Sequence, residues 1–189
     1  MNSAGELRRT SKSIALPAPH PFRRTDLKAV FLDIDGVLNS TSRWDHLPSG
    51  EGKIDPKALV RVRRICEETG AKIVVSSSWR GSGRENQMLA RMRRLFIKHG
   101  WQQAFAHLIV VGVTPNLNPG RDRRRNEIAQ WLKEHREATS FVILDDANNM
   151  AGLSDRLVQT RRRFGLKDRH VERAIKILGR ATARECPGS

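Results

Sequence analysis

The sequence is poor in cysteine and has no long apolar run. Cys66 and Cys186 are its two cysteines, too few for a disulfide framework and no indication of a zinc site, so both are expected to be ordinary thiols. No apolar stretch approaches the ~20 residues that a membrane-spanning helix needs, and the N-terminus lacks the apolar segment of a secretory signal. These absences predict a cytoplasmic protein that does not contact a membrane.

Acidic side chains are scarce relative to basic ones. The chain has 20 acidic and 35 basic residues, a formal charge of +15, and such a field attracts polyanions such as nucleic acids. Runs of arginine are also typical of solvated helix faces, so the charge bears on partners and not on the fold. The arginines cluster at four places: Arg61, Arg63 and Arg64; Arg91, Arg93 and Arg94; Arg121 and Arg123 to Arg125; and Arg161 to Arg163.

The length of 189 residues and the apolar fraction of 38% are typical of one domain with polar tails. Residues 1–26 mix Ser, Pro, Arg and Lys without periodicity, which predicts a flexible basic arm. A mitochondrial-type presequence is the alternative for this arm, although Glu6 interrupts its composition. The predicted domain spans 27–180, and residues 181–189 are expected to form a frayed tail.

Short apolar runs alternate with amphipathic helical patterns along the domain, without an internal repeat. Strands are predicted at 29–32, 71–75, 108–113 and 141–144, and within 154–160. Helices are predicted at 56–69, at 84–99, after the arginines of 121–125, and at 171–178, while 101–107 is left unassigned. This alternation predicts an α/β fold: a three-layer, Rossmann-like, mostly parallel sheet with helices on both faces.

The first apolar run ends abruptly in two acids and a glycine, Asp33, Asp35 and Gly36. Acids at i and i+2 at the end of a strand project from nearly the same side of the chain, and Gly36 lets the backbone turn sharply beside them. This geometry suits a hard cation and a phosphate. Taken alone, the same residues would be interpreted as the start of a turn.

Polar side chains also follow other predicted strands. In parallel α/β sheets ligands gather at the carboxyl ends of the strands, so these groups are expected to meet Asp33 and Asp35. Acids and hydroxyls there would supply a magnesium site and hydrogen bonds to a phosphate, and an arginine would balance the remaining charge. The groups are Ser76 and Ser77, Asp145 and Asp146, and Arg124 or Arg125 at the start of a helix.

The order of these motifs resembles the haloacid dehalogenase (HAD) superfamily of phosphohydrolases. The segments 75–80, 127–132 and 157–166 further resemble the HAD domains of multidomain Swiss army knife RNA-repair proteins. The resemblance covers about residues 27 to 180. It implies a HAD-like fold and an Mg²⁺-dependent phosphatase.

The resemblance also implies roles for the acids. Asp33 would be the nucleophile, forming an aspartyl phosphate that water then cleaves. Asp35 would protonate the leaving oxygen and later activate the water. Asp33, Asp35, Asp145 and Asp146 would form the metal site, with the backbone carbonyl of Ile34 on the ion.

The resemblance leaves several assignments open. Ser76 is favoured over Ser77 for the phosphate because it comes first after the apolar run, and Arg124 is favoured over Arg125 for the cation. Trp79 and Arg80 are predicted to bind substrate, by stacking on a base and gripping a phosphate. Packing under the sheet is the alternative for Trp79.

The gaps between the motifs are too short for a full cap domain. An uncovered site with basic surroundings suits a phosphate at the end of a large polyanion, because the substrate itself can close the site against water. The sequence therefore predicts a phosphatase of phosphorylated nucleic-acid ends, with RNA as the expected substrate. The alternatives are a phosphatase of nucleotides or other small phosphoesters, and a catalytically idle, basic nucleic-acid-binding module.

Overall fold

A computed structural model describes residues 26–42, 54–118, 120 and 122–179 of the chain. The predicted basic arm, apart from Asp26, and the predicted frayed tail lie outside these residues. The strands are β1 (Leu27–Leu32), β2 (Lys72–Val75), β3 (Val110–Val113), β4 (Ala138–Asp145) and β5 (Leu157–Gln159). The helices are α1 (Pro56–Thr69), α2 (Glu85–Lys98), α3 (Gln103–Ile109), α4 (Arg123–Glu134) and α5 (Asp168–Leu178).

The five strands form one sheet in the order β3-β2-β1-β4-β5. All four pairings are parallel, from Val30 opposite Ile73 on one side of β1 to Val30 opposite Val142 on the other. The α/β prediction is confirmed. The chain extends the sheet from β1 through β2 to β3 and then returns to the far side of β1, so the carboxyl end of β1 lies where the strand order reverses.

Side-chain alternation along β1 explains the three layers. Val30 and Leu32 belong to one buried cluster, which α1, α2, α3 and α5 cover. Ala29 and Phe31 point to the opposite face and pack in a second cluster with Trp131 of α4. Both faces of β1 are therefore buried, and the strand enters the site with little freedom to move.

Helix α1 begins and ends where the sequence predicts. Asp55 caps its N-terminus by accepting a 2.9 Å hydrogen bond from the backbone N–H of Lys57, and Pro56 takes the first helical position. At the other end Gly70, with φ of 71°, donates its N–H to the carbonyl of Cys66. Burial raises the pKa of the Cys66 thiol to about 12, so this cysteine is not reactive at neutral pH.

The segment after α2 differs from the prediction. A strand was expected from residue 108, but α3 extends through Ile109 and β3 begins at Val110. The reason is an aromatic contact: Trp101 stacks on Phe96 at 4.7 Å between ring centroids, and Phe105 packs edge-on against Trp101 at 5.0 Å. This packing of α3 against α2 overrides the local strand pattern.

Two element boundaries also differ. Strand β4 begins at Ala138 instead of 141, because Ala138 pairs with Leu27 of β1. Helix α5 begins at Asp168 instead of 171, where Asp168 bonds Arg61 of α1 at 2.8 Å. In the part of the chain that the structure describes, we find no helix with the length and apolarity to span a membrane.

Candidate active site

Backbone pairing continues one residue past the ends of the central strands. The N–H of Asp33 donates to the carbonyl of Leu144 at 3.0 Å, and the N–H of Ser76 donates to the carbonyl of Leu32 at 2.9 Å. These bonds hold the residues after β1 and β2 in line with the end of β4. The polar residues at three strand ends are thus fixed by the sheet itself.

Three acids meet at this edge of the sheet. Asp33, Asp145 and Asp146 each offer a carboxylate oxygen, and these atoms lie within 4.8 Å of one another. Asp33 is 5% exposed and Asp145 is 2% exposed. Carboxylates this close and this buried repel one another unless a cation or a proton lies between them.

Burial raises the pKa of Asp33 above its ordinary range, and the positive charge of Arg124 partly offsets the rise. Burial, followed by the charge of Asp33, raises the pKa of Asp145 to about 7, again against the effect of Arg124. The shifts show that the two ionised carboxylates are under-compensated by the protein alone. A bound cation would favour their ionised forms.

The donor set fits a hard divalent cation. Oδ1 of Asp145 accepts a 2.9 Å hydrogen bond from the N–H of Ala147, whereas buried Oδ2 has no hydrogen-bond partner among the described residues. Oδ2 does lie 3.2 Å from Nε of Arg124, as an ion pair outside hydrogen-bond geometry. A buried, incompletely satisfied carboxylate oxygen beside two further carboxylates is the all-oxygen environment that Mg²⁺ prefers.

Gly36 makes room for this cluster. Its φ of 72° lies in the left-handed region, which favours glycine. A Cβ at this position would also lie 2.5 Å from Oδ2 of Asp146. The glycine after the two acids is therefore needed both for the turn and for the position of Asp146.

Among the arginines that the structure describes, Arg124 is the one that reaches the acids. Its Nη2 donates to Oδ1 of Asp33 at 3.3 Å, and its Nη1 donates to Oγ of Ser76 at 3.4 Å. The structure does not bring Arg125 to this place. Nε of Arg125 instead donates to the carbonyl of Ala151 at 2.6 Å, because successive residues on a helix point about 100° apart.

The two serines have different partners. Ser76 accepts a 3.4 Å hydrogen bond from the hydroxyl of Thr114, while the hydroxyl of Ser77 bonds Asp33 and caps the N–H of Trp79 at 3.4 Å. Both serines are buried beside Asp33. Sequence reasoning gave Thr114 no role, although its place directly after a predicted strand was a usable signal.

Asp35 lies outside the cluster of three acids. It was expected among the ligands, but Oδ2 accepts a 2.8 Å hydrogen bond from the indole N–H of Trp79, and Oδ1 accepts one of 2.8 Å from the amide of Asn39. Asn39, which sequence reasoning missed, also accepts the N–H of Gly36 at 2.9 Å. Asp35 is therefore held as a separate carboxylate beside the cluster.

The side chain of Trp79 both packs against the core and donates a hydrogen bond. Its ring lies partly buried against the main core cluster, as one of the two interpretations of the sequence expected, while its N–H reaches Asp35. The carbonyl of Ile34, which was expected on the ion, accepts the N–H groups of Val37, Leu38 and Asn39 in the turn after β1.

Arg80 lies in the interior of the protein. It was predicted to grip a phosphate, but it is 2% exposed and pairs with buried Glu127 of α4 at 2.7 Å. The guanidinium also donates to the carbonyls of Ser77 and Pro115. Arg80 thus ties the loop after β2 to the helix that carries Arg124.

The comparisons with known proteins agree with the fold and the acidic cluster. The family profile described as the HAD domain in Swiss Army Knife RNA repair proteins matches residues 29–171, about three quarters of the 189-residue chain. Neither the curated proteins nor the solved structures gave a significant match. The family match suggests a phosphohydrolase at the level of reaction class. With this fold, this cluster and this extent of the match, the chain belongs to the HAD domain family of Swiss Army Knife RNA repair proteins.

Proposed function

We propose that this protein is an Mg²⁺-dependent phosphatase that removes terminal phosphates from nucleic acid, with RNA as the substrate, through a phosphorylated Asp33. One observation carries the proposal. Asp33 lies where two further carboxylates, an arginine and a serine hydroxyl converge, with Arg124 3.3 Å from its Oδ1 and the acids within 4.8 Å. This combination suits a nucleophile that works on an anionic group.

Asp33, Asp145 and Asp146 would hold Mg²⁺. When bound, the ion supplies positive charge that neutralises the transferred phosphoryl group and keeps the nucleophile ionised. Arg124 adds a cation on the side of Ser76, which it contacts at 3.4 Å. The hydroxyls of Ser76 and Ser77 are the candidates for hydrogen bonds to the remaining phosphate oxygens.

The proposed reaction has two steps. An oxygen of Asp33 attacks phosphorus, and the bond to the leaving oxygen breaks as Asp35 gives that oxygen its proton. Asp35, now ionised, takes a proton from water, which attacks the phosphorus and returns Asp33 and inorganic phosphate. The hydrogen bonds from Trp79 and Asn39 fix the direction of the Asp35 carboxyl for both transfers.

Two observations support nucleic acid as the substrate class. The family is described from RNA repair proteins, and the chain carries a formal charge of +15. In the described part of the chain, the segment between β1 and β2 contributes one helix and the segment between β2 and β3 contributes two helices and a short turn. Among the described residues these elements are too few for a full cap domain, which is compatible with the end of a long polymer as the substrate.

The test is a screen of phosphate release. RNA and DNA oligonucleotides with 5′- or 3′-terminal phosphates are compared with mononucleotides and other small phosphoesters, with and without Mg²⁺. The proposal predicts Mg²⁺-dependent release that is fastest from an oligonucleotide end, falls with salt and is lost in Asp33→Asn. Equal, salt-insensitive rates on mononucleotides would favour a small-molecule phosphatase, and no release from any substrate would contradict the enzyme.

A further inference from the structure

A cluster of basic side chains lies in the turn after β5. This basic turn comprises Arg161, Arg162, Arg163 and Phe164, all of which are exposed. Phe164 is 42% exposed, and the guanidinium carbon of Arg163 lies 5.5 Å from the centroid of its ring. Among the described residues, none of the three arginines pairs with a carboxylate.

Some other arginines of this protein have acidic partners. Exposed Arg63 and Arg64 each pair with the glutamate four residues later, and half-buried Arg61 pairs with Asp168. Those arginines form the solvated helix face that runs of arginine commonly indicate. The basic turn is different, because its three charges are concentrated in consecutive residues and are not neutralised locally.

The backbone of the basic turn is fixed. The N–H groups of Phe164 and Gly165 both donate to the carbonyl of Arg161, at 2.7 and 2.9 Å. Gly165 has a φ of 64°, and a Cβ there would approach the carbonyl oxygen of Val37 to 3.1 Å. The turn is therefore packed closely on the loop that follows the catalytic strand and presents its side chains in a preformed arrangement.

Two more bonds join the basic turn to that loop. The N–H of Thr41 donates to the carbonyl of Arg162 at 3.1 Å, and the N–H of Ser42 donates to the carbonyl of Arg163 at 3.2 Å. Because these bonds use backbone atoms of the turn, the guanidinium groups stay available for a ligand. The turn and the loop after Asp35 thus form one connected surface.

The basic turn lies on the same edge of the sheet as the acids. It begins one residue after Thr160, whose N–H donates to the carbonyl of Asp145 at 2.9 Å and whose hydroxyl donates to the carbonyl of Gly36 at 2.7 Å. Strand β5 is separated from β1 by β4, so its end lies about 10 Å from the end of β1. A terminal phosphate alone cannot contact both Asp33 and the basic turn, but a nucleic-acid strand of several nucleotides can.

We propose that the basic turn binds the backbone of a single-stranded nucleic acid whose phosphorylated end lies at Asp33, with a base stacked on Phe164. This inference rests on the proposed function and adds the surface that selects a polymer. Three unpaired arginines match the charge of consecutive phosphates, and an exposed ring beside them offers a stacking platform. An unpaired base can cover that ring, whereas the bases of a duplex are stacked on each other, so the surface favours single strands.

The test measures binding with the full-length chain. A single-stranded RNA of about 12 nucleotides with a terminal phosphate is titrated in an Asp33→Asn background, which blocks turnover. Changing Arg161, Arg162 and Arg163 to Gln should weaken binding at least tenfold. The slope of log K against log salt should become shallower by about 2, as expected for three lost contacts to a single strand.

A variant of equal charge provides the control. Lys133, Arg173 and Lys176 are exposed and lie in the later turns of α4 and α5. The end of α5 lies at the opposite edge of the sheet, where Leu178 accepts the hydroxyl of Ser140 near the start of β4. Changing these three residues to Gln should weaken binding by twofold or less. Equal weakening by both variants would overturn the proposal, since it would show a general effect of net charge.

Phe164→Leu tests the stacking. It keeps an apolar side chain but removes the ring, so binding of the same RNA should weaken about fivefold to tenfold while the salt slope stays unchanged. Unchanged binding would overturn the role of Phe164. Because the arginine-to-glutamine variant and Phe164→Leu both change exposed side chains, their circular dichroism spectra and thermal melting should match those of the parent protein.

Turnover separates this inference from the proposed function. With Asp33 intact, the arginine-to-glutamine variant should lower the ratio of kcat/KM for the oligonucleotide to kcat/KM for a mononucleotide at least tenfold. If both this ratio and the binding are unchanged, the basic turn does not bind the nucleic acid, and the proposed phosphatase activity is unaffected. If the parent protein releases no phosphate at all, the proposed function is wrong. The binding comparison then still tests whether the basic turn binds nucleic acid.

Discussion

The indole N–H of Trp79 donates a 2.8 Å hydrogen bond to Oδ2 of Asp35. The amide of Asn39 donates to the other carboxylate oxygen at the same distance. Two donors from different loops thus fix the plane of the Asp35 carboxyl, while Asp33, Asp145 and Asp146 form the acidic cluster that could hold a metal ion. The two acids of one motif are divided between two environments, as their different proposed roles require.

Trp79→Phe should lower kcat by roughly tenfold to a hundredfold with little change in KM, because it removes one of the two donors to Asp35. The loss should be larger for an alkyl phosphate, whose leaving oxygen needs a proton, than for an aryl phosphate with a good leaving group. A purely structural role of Trp79 would reduce both activities by the same factor. Trp101→Phe, in the aromatic stack on α2, is the control and should leave the ratio of the two activities unchanged.

Gly36→Ala should destabilise the protein and abolish its activity. The added Cβ meets Oδ2 of Asp146 at 2.5 Å, in addition to the cost of a positive φ. Gly70 is a matched control: its φ of 71° is nearly the same, and nothing lies within 4 Å of an added Cβ. Gly70→Ala should cost about 1–2 kcal/mol of unfolding free energy and keep its activity. Equal effects of the two variants on activity would contradict the role given to Asp146.

Glu127→Gln should cost about 3–5 kcal/mol of unfolding free energy, because it leaves the buried guanidinium of Arg80 without its counter-charge. Urea denaturation measures the loss. Glu134→Gln, on the exposed part of the same helix, should cost less than about 0.5 kcal/mol. A loss below about 1 kcal/mol for Glu127→Gln would show that Arg80 does not depend on this pair.

Asp145→Asn should alter how stability depends on pH and metal. In the absence of metal, burial and the charge of Asp33 raise the pKa of Asp145 from 3.8 to about 7. Because the folded-state pKa is the higher one, the stabilisation present below the unfolded pKa is lost as pH rises through about 7. In EDTA the wild type should therefore lose up to about 4 kcal/mol relative to Asp145→Asn between about pH 4 and pH 8.

Mg²⁺ should reverse that loss in the wild type and not in the variant, as measured by thermal melting at about pH 8. Asparagine keeps an oxygen for the N–H of Ala147, so the loop after β4 should stay in place. Equal stabilisation of both proteins by Mg²⁺ would show that the ion binds elsewhere.

The sequence could predict the sheet and the convergence of Asp33, Ser76 and Asp145, because both follow from local signals. Apolar runs set the strands, and parallel strands bring their carboxyl ends to one edge. Arg124 could also be chosen from its place at the start of a helix. The separation of Asp35 from the other acids could not be predicted, since one of its two donors, Trp79, comes from another loop.

Arg80 illustrates what local sequence cannot determine. Next to Ser77 and Trp79, its position is equally compatible with contacting a substrate and with pointing into the protein. The direction is decided by Glu127 on α4, far away in the chain. The same holds for the last two residues of α3, 108–109, which were predicted as the start of a strand but are helical because Trp101 stacks on Phe96.

The central claim is that Asp33 carries the phosphoryl group. The most direct measurement is an acid quench of the protein during turnover with Mg²⁺ and a phosphorylated oligonucleotide, followed by mass mapping of peptides. With an aryl phosphate, whose leaving oxygen needs no proton, Asp35→Asn should slow the hydrolysis step and accumulate the intermediate. The account predicts one added phosphoryl group on the peptide containing Asp33, and none in Asp33→Asn. Sustained phosphate release without a phosphorylated Asp33, or with the group on another residue, would contradict it.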